Sequence, residues 1–199
     1  MKSLRASLAM LAFTILLTGL AYLGLVAGVA ALAFPDQAGG SLVLREGKVV
    51  GSRLIGQNFT EPKYFWGRLS ASGSFPYNGM ASGGSNLGPL NPALTDAAKA
   101  RIDALRQADP GNAAPPPVDL VTASASGLDP EISLAAAQYQ AGRVAAARGV
   151  DRAVVEQLIA RHASGKWLGV FGVERVNVLA LNLDLDTLAA PPAPRRPGA

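Results

Sequence analysis

The chain has 199 residues, with 18 lysines and arginines against 14 aspartates and glutamates, and its formal net charge at pH 7 is +4. Four of the basic residues lie near the ends, namely Lys2, Arg5, Arg195 and Arg196, so the region between them is close to neutral. It has no clustered basic face of the kind that nucleic-acid binding requires. The absence of cysteine excludes disulfides and thiolate metal sites.

An uncharged, largely aliphatic run near the N-terminus is the strongest signal in the sequence. No charged side chain occurs between Ala6 and Pro35, and this run exceeds the ~20 residues needed to cross a hydrocarbon core of ~30 Å. A secretory signal peptide is the alternative, because Ala31-Leu32-Ala33 has a cleavage pattern, but the apolar part of a signal usually spans only ~7–15 residues. We therefore predict a retained transmembrane helix over residues 8–34.

The nearest charged residues predict the orientation of this helix. Cytoplasmic flanks of membrane helices carry the excess of lysine and arginine. Lys2 and Arg5 lie directly before the apolar run, whereas the first charged residue after it is Asp36. The sequence therefore predicts residues 1–7 in the cytoplasm and residues 35–190 on the other side of the membrane.

The first part of the outer region predicts a β-hairpin followed by aromatic core residues. Two β-rich runs, 41–45 and 48–55, flank the short turn Glu46-Gly47. The next segment concentrates aromatic side chains, which are most simply explained by core packing rather than by stacking on a ligand. These residues are Phe59, Tyr64, Phe65 and Trp66.

A loop rich in serine, glycine and asparagine follows from Ser70 to Pro89. Its centre is Ser82-Gly83-Gly84-Ser85-Asn86, where consecutive glycines allow several backbone N–H groups to face one anion. These five residues are therefore a candidate nucleotide or phosphate contact. An ordinary irregular connection is the simpler interpretation, because such clusters usually mark loops. The motif G-x-x-x-x-G-K-[ST] occurs nowhere in the chain.

The region after this loop predicts one helix and then a proline-rich break. Asn91 is suited to cap a helix that starts at Pro92 and runs to about Gln107. Apolar residues recur on one face of this helix; they are Leu94, Ala98, Ile102 and Leu105. Residues 109–117 have the composition of a loop or spacer, and we treat them as a candidate boundary between two lobes.

The C-terminal part predicts a strand, a helical hairpin and a final strand. Residues 118–122 are a short strand candidate, and Asp129-Pro130 is suited to start a helix. Two helices follow, the first from about Ser133 to Arg148 with Ala136, Tyr139, Val144 and Ala147 near one face, and the second capped by Asp151 with Val154, Val155, Leu158 and Ile159 as its apolar stripe.

The end of the chain predicts a strand and a disordered tail. Leu181, Leu183 and Leu185 alternate with polar residues in the run 176–186, which is the pattern of a half-buried strand. Residues 191–199 are rich in proline, which neither pairs as a strand nor continues a helix, so we predict a disordered tail. The whole chain is predicted to be one transmembrane helix followed by a single mixed α+β extracytoplasmic domain.

A search for catalytic and metal-binding patterns gives little. The only histidine, His162, lies near the predicted C-terminus of a helix, where the helix dipole explains it, and neither G-x-S-x-G nor S-x-x-K is present. Asp184 and Asp186 share one face of the predicted strand, but a solvated face explains them without calcium. We predict no catalytic residue and no metal site.

Three arginines of the outer region remain candidates for recognition. Arg68, Arg143 and Arg148 could each clamp a carboxylate or phosphate with two hydrogen bonds. For Arg143 and Arg148, which lie in an alanine-rich helix, the simpler interpretation is a salt bridge, either to a neighbouring chain or to Asp129, because arginine is preferred in interface and buried ion pairs.

Several segments, in order along nearly the whole chain, form a recognisable set. They are Leu54-Ile-Gly-Gln-Asn-Phe59, Pro62 with Tyr64-Phe65 and Arg68, Ser82-Gly-Gly-Ser-Asn-Leu-Gly-Pro89, Val118-Asp-Leu-Val-Thr122, Ser124-Ala-Ser-Gly-Leu-Asp-Pro130, Gln138-Tyr-Gln140 with Arg143-Val-Ala145 and Ala147-Arg148, and Val176-Asn-Val-Leu-Ala-Leu-Asn182. Together these segments resemble the C subunit of the Kdp-type high-affinity potassium-transporting P-type ATPase. The departures are Leu69, which stands where that family usually has proline and is expected to loosen one turn, and the proline-rich stretches.

The resemblance implies a non-catalytic, single-pass subunit of the cell inner membrane. Such a subunit assembles with a channel-like potassium-binding subunit, a P-type ATPase subunit and a small membrane peptide, and the complex hydrolyses ATP to import potassium. The family is also described as a catalytic chaperone that raises the ATP affinity of the pump subunit. No firmly bound cofactor is implied for this chain, which lacks the D-K-T-G motif of the pump subunit.

The resemblance also bears on the site residues and on the mechanism. Tyr64, Phe65, Arg68, Arg143 and Arg148 are our candidates for contact with the partner subunits. A domain outside the membrane cannot touch nucleotide in the cytoplasm, so an effect on ATP affinity must be indirect, through linkage. The alternative class is a membrane-anchored extracytoplasmic hydrolase or solute-binding domain that acts alone, which would need a pocket with convergent polar groups.

Overall fold

The structure is a computed structural model that describes residues 2–188. The predicted tail, residues 191–199, lies outside the described residues. The chain divides into two compact units, and the boundary falls between Ser52 and Arg53. Both sides of the proline-rich segment 109–117 belong to the second unit.

The first unit begins with a long apolar helix. It consists of α1 (Lys2–Thr14), a π-helical stretch (Ile15–Tyr22) and α2 (Leu23–Ala33). By length and composition, residues Ser3–Ala33 suffice to cross a membrane, and none of that span is buried by the rest of the chain. Two of its hydroxyl groups bond within the helix, because the Thr14 and Thr18 hydroxyls donate to the carbonyls of Met10 and Thr14 at 2.8 and 2.7 Å. The predicted apolar helix is confirmed.

A β-hairpin completes the first unit after the single turn α3 (Pro35–Ala38). Strands β1 (Leu42–Arg45) and β2 (Lys48–Ser52) pair antiparallel, with Arg45 opposite Lys48. Glu46 and Gly47 have φ values of 52° and 76°, and a two-residue hairpin turn of type I′ needs positive φ at both of its central residues. The predicted hairpin is confirmed.

The second unit is a mixed arrangement of helices and a small sheet, so the predicted α+β class is confirmed. The elements of this unit in chain order are α4 (Pro92–Ala108), α5 (Val118–Val121), β3 (Glu131–Ser133), α6 (Leu134–Arg148), α7 (Arg152–His162), β4 (Ala163–Ser164), β5 (Arg175–Asn177) and α8 (Val178–Leu185). Strand β5 lies at the centre of an antiparallel sheet with the order β3-β5-β4.

Side-chain caps start four of these helices. Asn91, Ser133, Asp151 and Asn177 each accept a hydrogen bond from a backbone N–H in the first turn of α4, α6, α7 and α8, which satisfies a donor that the helix itself cannot. Gly149, with φ of 65°, ends α6 in the left-handed conformation. The predicted helix 92–107 and the predicted helical hairpin, α6 and α7, are confirmed.

The hydrophobic core of the second unit is built by α6, α7, α8 and β5, with α4 and α5 contributing one leucine each. Small side chains of α6 allow close packing of α7 against it. Ala147, predicted on the buried face of α6, is instead exposed, because it lies in the last turn of the helix, beyond the last buried residue, Ala145. The largest fully buried apolar side chains are Phe65, Leu105, Leu120, Ile132, Leu158, Ile159, Leu181 and Leu185.

Three predictions about the C-terminal part are wrong. Residues 118–122 form the helical turn α5 rather than a strand, with Leu120 buried. Asp129-Pro130 does not start a helix, because 131–133 pair with β5 as strand β3 and the helix begins only after the Ser133 cap. Residues 178–185 form helix α8 rather than a strand.

The helix at 178–185 has a clear physical cause. Leu181 and Leu185 are four residues apart and both fully buried, whereas Leu183 between them is only half-buried. The spacing of the leucines therefore fits both the two-residue period of a strand and the 3.6-residue period of a helix. The Asn177 cap and packing on α7 favour the helix.

The loops 82–86 and 124–130 approach each other so closely that glycine is required. Gly83 N–H donates to the carbonyl of Ser126 at 2.8 Å. Gly127 has φ of 68°, and a Cβ atom there would lie 2.7 Å from the carbonyl oxygen of Gly83. Nearby, Leu69 forms a parallel bridge with Ala123 and its carbonyl accepts from Ser124 N–H at 3.1 Å.

We expect Gly127→Ala to lower the free energy of unfolding by about 2 kcal/mol or more, through the left-handed backbone and the steric overlap with Gly83. The matched control is Gly83→Ala, since a Cβ atom there meets nothing within 4 Å. Urea unfolding of both full-length variants in detergent micelles measures the difference. Equal losses for the two variants would contradict the close approach described here.

Candidate functional site: a buried arginine and amide cluster

The extended segment 61–68 is held in the second unit by side chains rather than by a neighbouring strand. Phe65 and Trp66 belong to no sheet in residues 2–188, yet both are buried. Buried backbone groups must find partners, because leaving one unpaired costs about 1–3 kcal/mol. Two amide side chains and three arginines supply these partners.

Asn182, in the middle of α8, bonds both backbone groups of Phe65. Its Oδ1 accepts from the Phe65 N–H at 2.8 Å and its Nδ2 donates to the Phe65 carbonyl at 3.0 Å. An amide side chain has one acceptor and one donor side, so it can take the place of a strand partner. Asn182 is 1% exposed.

Gln140, on α6, does the same for the next residue. Its Oε1 accepts from the Trp66 N–H at 2.8 Å, and its Nε2 donates to the Trp66 carbonyl at 3.1 Å and to the Ala136 carbonyl at 3.2 Å. Consecutive residues of the segment are therefore tied to two different helices. The segment 61–68 therefore holds α6 and α8 at a fixed spacing, and the two helices in turn hold the segment in place.

Arg143, one turn after Gln140, completes the cluster. Its guanidinium donates to the Pro62 carbonyl at 2.6 Å, the Tyr64 carbonyl at 3.1 Å and Gln140 Oε1 at 2.6 Å. The guanidinium also lies 4.4 Å from the centre of the Trp66 ring, a favourable cation–π distance. Burial lowers the pKa of Arg143 to about 10, so the group stays charged at neutral pH.

A second guanidinium lies over the same indole. The Arg101 side chain from α4 is 5.1 Å from the Trp66 ring centre and donates to the carbonyls of Leu120 and Gly67 at 3.1 and 2.7 Å. Burial lowers the pKa of Arg101. Neither Arg101 nor Arg143 forms a salt bridge in the described chain, so both positive charges are balanced by carbonyl dipoles and the aromatic ring.

A more exposed group lies at the end of α8. Arg148 donates to the carbonyls of Lys63 and Leu185 at 2.8 and 2.9 Å and pairs with Asp186 at 2.8 Å. The Tyr64 hydroxyl donates to the other Asp186 oxygen at 3.1 Å, and the Arg148 guanidinium lies 5.1 Å from the Tyr64 ring centre. Burial and the bond to Asp186 raise the pKa of Tyr64.

Arg68 is the arginine that pairs with Asp129, at 3.1 Å. Its Nε atom is buried without a hydrogen-bond partner. The Tyr77 hydroxyl donates to the Arg68 carbonyl at 2.6 Å, and burial raises the pKa of Tyr77 to about 12. Arg68, Tyr77 and Arg101 line a cavity of about 90 Å³.

The structure therefore distributes the five predicted interface residues over three environments. Phe65 and Arg143 are buried in the arginine and amide cluster, Tyr64 and Arg148 meet at Asp186, and Arg68 pairs with Asp129. The salt bridge to Asp129 that we expected for Arg143 or Arg148 is formed by Arg68. Arg148 pairs with Asp186 instead, and Arg143 bonds to neutral groups. Their role at an interface stays a prediction.

The aromatic residues before Arg68 divide in a similar way. Phe65 and Trp66 are buried in the core, which confirms the packing interpretation for them. Phe59 packs against the edge of the core, with its ring centre 5.2 Å from that of Tyr64.

The predicted phosphate loop contacts another loop of the same unit. Ser82 Oγ and Gly83 N–H both donate to the Ser126 carbonyl, at 3.0 and 2.8 Å. Gly84 packs on Ala125, and Asn86 Nδ2 donates to the Gly84 carbonyl at 3.2 Å. Close packing of backbones thus explains Gly84, whereas a Cβ atom at Gly83 would meet nothing within 4 Å. Ser85 lies at the exposed side of this loop, and contact of Ser82–Asn86 with phosphate stays a prediction.

The lone histidine has a local partner. His162, the last residue of α7, lies 2.7 Å from Asp184 of α8. Asp184 and Asp186 lie on and just after a helix, so they do not share a strand face as predicted. Among residues 2–188, no group of three or more His, Asp or Glu side chains is arranged to hold a metal ion.

Sequence reasoning missed the residues that organise this cluster. Gln140 and Asn182 were noticed only as parts of longer segments, and Arg101 was not singled out. One signal was present: Asn182 is a lone amide in the apolar run 178–185, and a polar residue at a position of helical burial needs a buried partner. The partner itself, the backbone of Phe65, is 117 residues away in the chain.

The fold and this cluster define a class of protein. It is an α+β chain with one N-terminal apolar helix long enough to span a membrane, and the buried polar groups of its cluster hold its own backbone. The family model described as "KdpC: K+-transporting ATPase, c chain" matches residues 4–187. The chain belongs to this family.

Curated relatives agree with the family match over nearly their whole length. A protein of Polaromonas naphthalenivorans is 64% identical over 191 residues, which cover 96% of this chain and 97% of the relative. Proteins of Ralstonia nicotianae and Herpetosiphon aurantiacus are 63% and 59% identical, over 93% and 92% of this chain and 91% and 95% of the relatives. Each of the three is named "Potassium-transporting ATPase KdpC subunit".

Proposed function

We propose that this chain is the accessory C subunit of an ATP-driven potassium importer and that it raises the ATP affinity of the pump subunit without contacting nucleotide. The observation that carries this proposal is the family match over residues 4–187, together with relatives of about 60% identity that carry the same name. The partners are a channel-like potassium-binding subunit, a P-type ATPase subunit and a small membrane peptide. The complex uses ATP through its pump subunit, and potassium is the transported ion.

The topology of the proposal is a single pass through the cell inner membrane. The membrane span lies within Ser3–Ala33, with its N-terminus in the cytoplasm because Lys2 and Arg5 lie at that end of the helix. Residues 35–190 then lie outside the cytoplasm. In this orientation the second unit meets the outer surfaces of its partners and never the cytoplasmic nucleotide.

The arginine and amide cluster supports an indirect mechanism. It ties the segment 61–68 to α6 and α8 through at least seven hydrogen bonds. The half-buried Tyr64 and Arg148 and their partner Asp186 therefore form part of a rigid body. A rigid domain that binds one conformation of its partners better than another shifts their equilibrium toward that conformation. ATP affinity then changes by linkage.

The test compares complexes assembled with the full chain and with a chain that stops after Ser52, which retains the first compact unit. We expect the truncation to weaken ATP binding by the pump subunit roughly 5-fold or more, the range of ordinary coupling free energies. A full-length Arg152→Ala variant is the control, because Arg152 is exposed and pairs only with Glu156 one turn away.

Size analysis accompanies the ATP titration, so that loss of assembly is distinguished from loss of coupling. If the truncated complex assembles intact and its ATP affinity is unchanged, the coupling mechanism is contradicted. A full chain that purifies as a lone small species would favour the other class, an anchored hydrolase or solute-binding domain. In the described chain, His162 bonds to Asp184 and to no serine, and no observation favours that class.

A further inference from the structure

The connection between β4 and β5 exposes an apolar surface that the proposed mechanism does not use. Residues 165–174 form a hairpin loop that begins with Gly165-Lys166 and ends with Glu174. Five apolar side chains on it are between 60 and 74% exposed. They are Trp167, Leu168, Val170, Phe171 and Val173.

This surface is held in shape by the loop itself. Trp167 and Phe171 exchange backbone hydrogen bonds of 2.8 and 2.9 Å, and their ring centres are 5.7 Å apart. Leu168 and Gly169 take the left-handed conformation, with φ of 51° and 74°, which turns the chain within four residues. A turn fixed in this way presents its apolar side chains at little cost in conformational entropy.

The size and chemistry of the surface favour a lipid headgroup region over a protein partner. Five such side chains expose on the order of 500 Å², less than the ~800 Å² per partner of a stable protein interface. Tryptophan is enriched where membranes meet water. Lys166 lies next to Trp167, and a basic residue at an anionic membrane surface contributes about 1 kcal/mol.

We propose that the hairpin 165–174 inserts its tip into the headgroup region of the bilayer and so forms a second membrane contact of this chain. The proposal rests on the proposed function in one respect, the anchoring of Ser3–Ala33 in that bilayer. Anchoring keeps the hairpin near lipid, so a tip that reaches only ~5–10 Å into the interface suffices. The contact would restrict rotation of the second unit about its tether.

The two tryptophans of the chain make the test direct, because Trp66 is 7% exposed and Trp167 is 69% exposed. The full chain is reconstituted alone into phosphatidylethanolamine and phosphatidylglycerol vesicles, with and without brominated phospholipid, which quenches tryptophan on contact. The Trp167→Phe variant isolates the emission of Trp66. We expect brominated lipid to remove at least half of the Trp167 emission and little of the Trp66 emission.

Two further variants make the test specific. Leu90→Trp in the Trp167→Phe background carries an exposed indole elsewhere in the same unit, since Leu90 is 96% exposed, and we expect it to stay unquenched. Lys166→Glu should weaken quenching of Trp167 at least 2-fold in vesicles with phosphatidylglycerol. Equal quenching at Leu90→Trp would overturn the proposal, because contact would then not be specific to the hairpin.

Vesicle flotation separates the failure of this inference from that of the proposed anchoring. If the chain floats with the vesicles but Trp167 stays unquenched, the hairpin contact is wrong and the anchor stands. If Trp167 becomes shielded only when the other pump subunits are added, the hairpin docks on protein and the lipid proposal is overturned. If the chain does not float, the anchoring and this inference both fail.

Discussion

Arg143→Ala is expected to lower the free energy of unfolding by about 3–5 kcal/mol, because a buried cation bonded to three acceptors is among the strongest contacts a chain can lose. The substitution leaves the carbonyls of Pro62 and Tyr64 without this donor. It also removes one of the two donors to Gln140 Oε1, which keeps the Trp66 N–H. It also removes the cation from the Trp66 ring, worth about 2 kcal/mol when desolvated. Urea unfolding of the full chain in detergent micelles, followed by tryptophan fluorescence, measures the loss.

Two variants serve as controls for this result. Arg152→Ala makes the same change of charge at an exposed position whose one-turn ion pair with Glu156 is worth about 0.3–0.5 kcal/mol. Arg143→Lys keeps the charge but lacks the planar fork, so it should lie between Arg143→Ala and the wild type. A loss at Arg143→Ala no larger than that at Arg152→Ala would show that the cluster does not stabilise the domain.

Asn182→Asp is expected to destabilise the chain in a pH-dependent way. A carboxylate at this site accepts from the Phe65 N–H but cannot donate to the Phe65 carbonyl, and it lies in a position that is 1% exposed. The protonated carboxyl group can still donate. Burial disfavours the charged form, so the folded-state pKa of the introduced group lies above its unfolded value of about 3.9.

The sign of the effect follows from linkage. A folded-state pKa above the unfolded one means that the penalty is smallest near pH 4 and grows as pH rises through the folded-state pKa. We expect a loss of about 1 kcal/mol near pH 4 and about 3 kcal/mol or more at pH 8, relative to wild type at each pH. The control Asn86→Asp changes an exposed amide and should give a flat difference. A flat difference for Asn182→Asp would contradict the bidentate amide contact.

In the proposed mechanism, the effect of this chain on its partners depends on the rigidity of the second unit. The segment 61–68 carries Tyr64 at the surface and Phe65 and Trp66 in the core, and the cluster joins these residues to α6 and α8. Losing the Arg143 contacts should therefore weaken coupling to the pump subunit as well as stability. The two effects can be separated by measuring ATP affinity at a temperature where the variant is still folded.

Features with a local cause were predictable. The apolar run 8–34 can satisfy its backbone in lipid only as a helix, and the caps Asn91 and Asp151 mark helix starts through their own side chains. The turn Glu46-Gly47 is likewise set by its two residues. The family itself was identified from short segments spread along the chain.

Features with a distant cause were not predictable. The run 176–186 fits a strand and a helix equally well by its pattern of leucines, and only packing on α7 makes it α8. Residues 131–133 became a strand because β5, more than 40 residues later, offers them an edge. The conformation of such short elements depends on the neighbouring elements that pair with them or pack against them.

The sequence by itself determined the long apolar helix, the capped helices and the absence of thiol chemistry, because each depends on residues close together in the chain. Only the tertiary structure decided that Asn182 and Gln140 replace a strand partner and that Arg143 lies on Trp66. Those contacts join positions between 74 and 117 residues apart. The pairing of one amide with one backbone group also produces no periodic pattern from which it could be predicted.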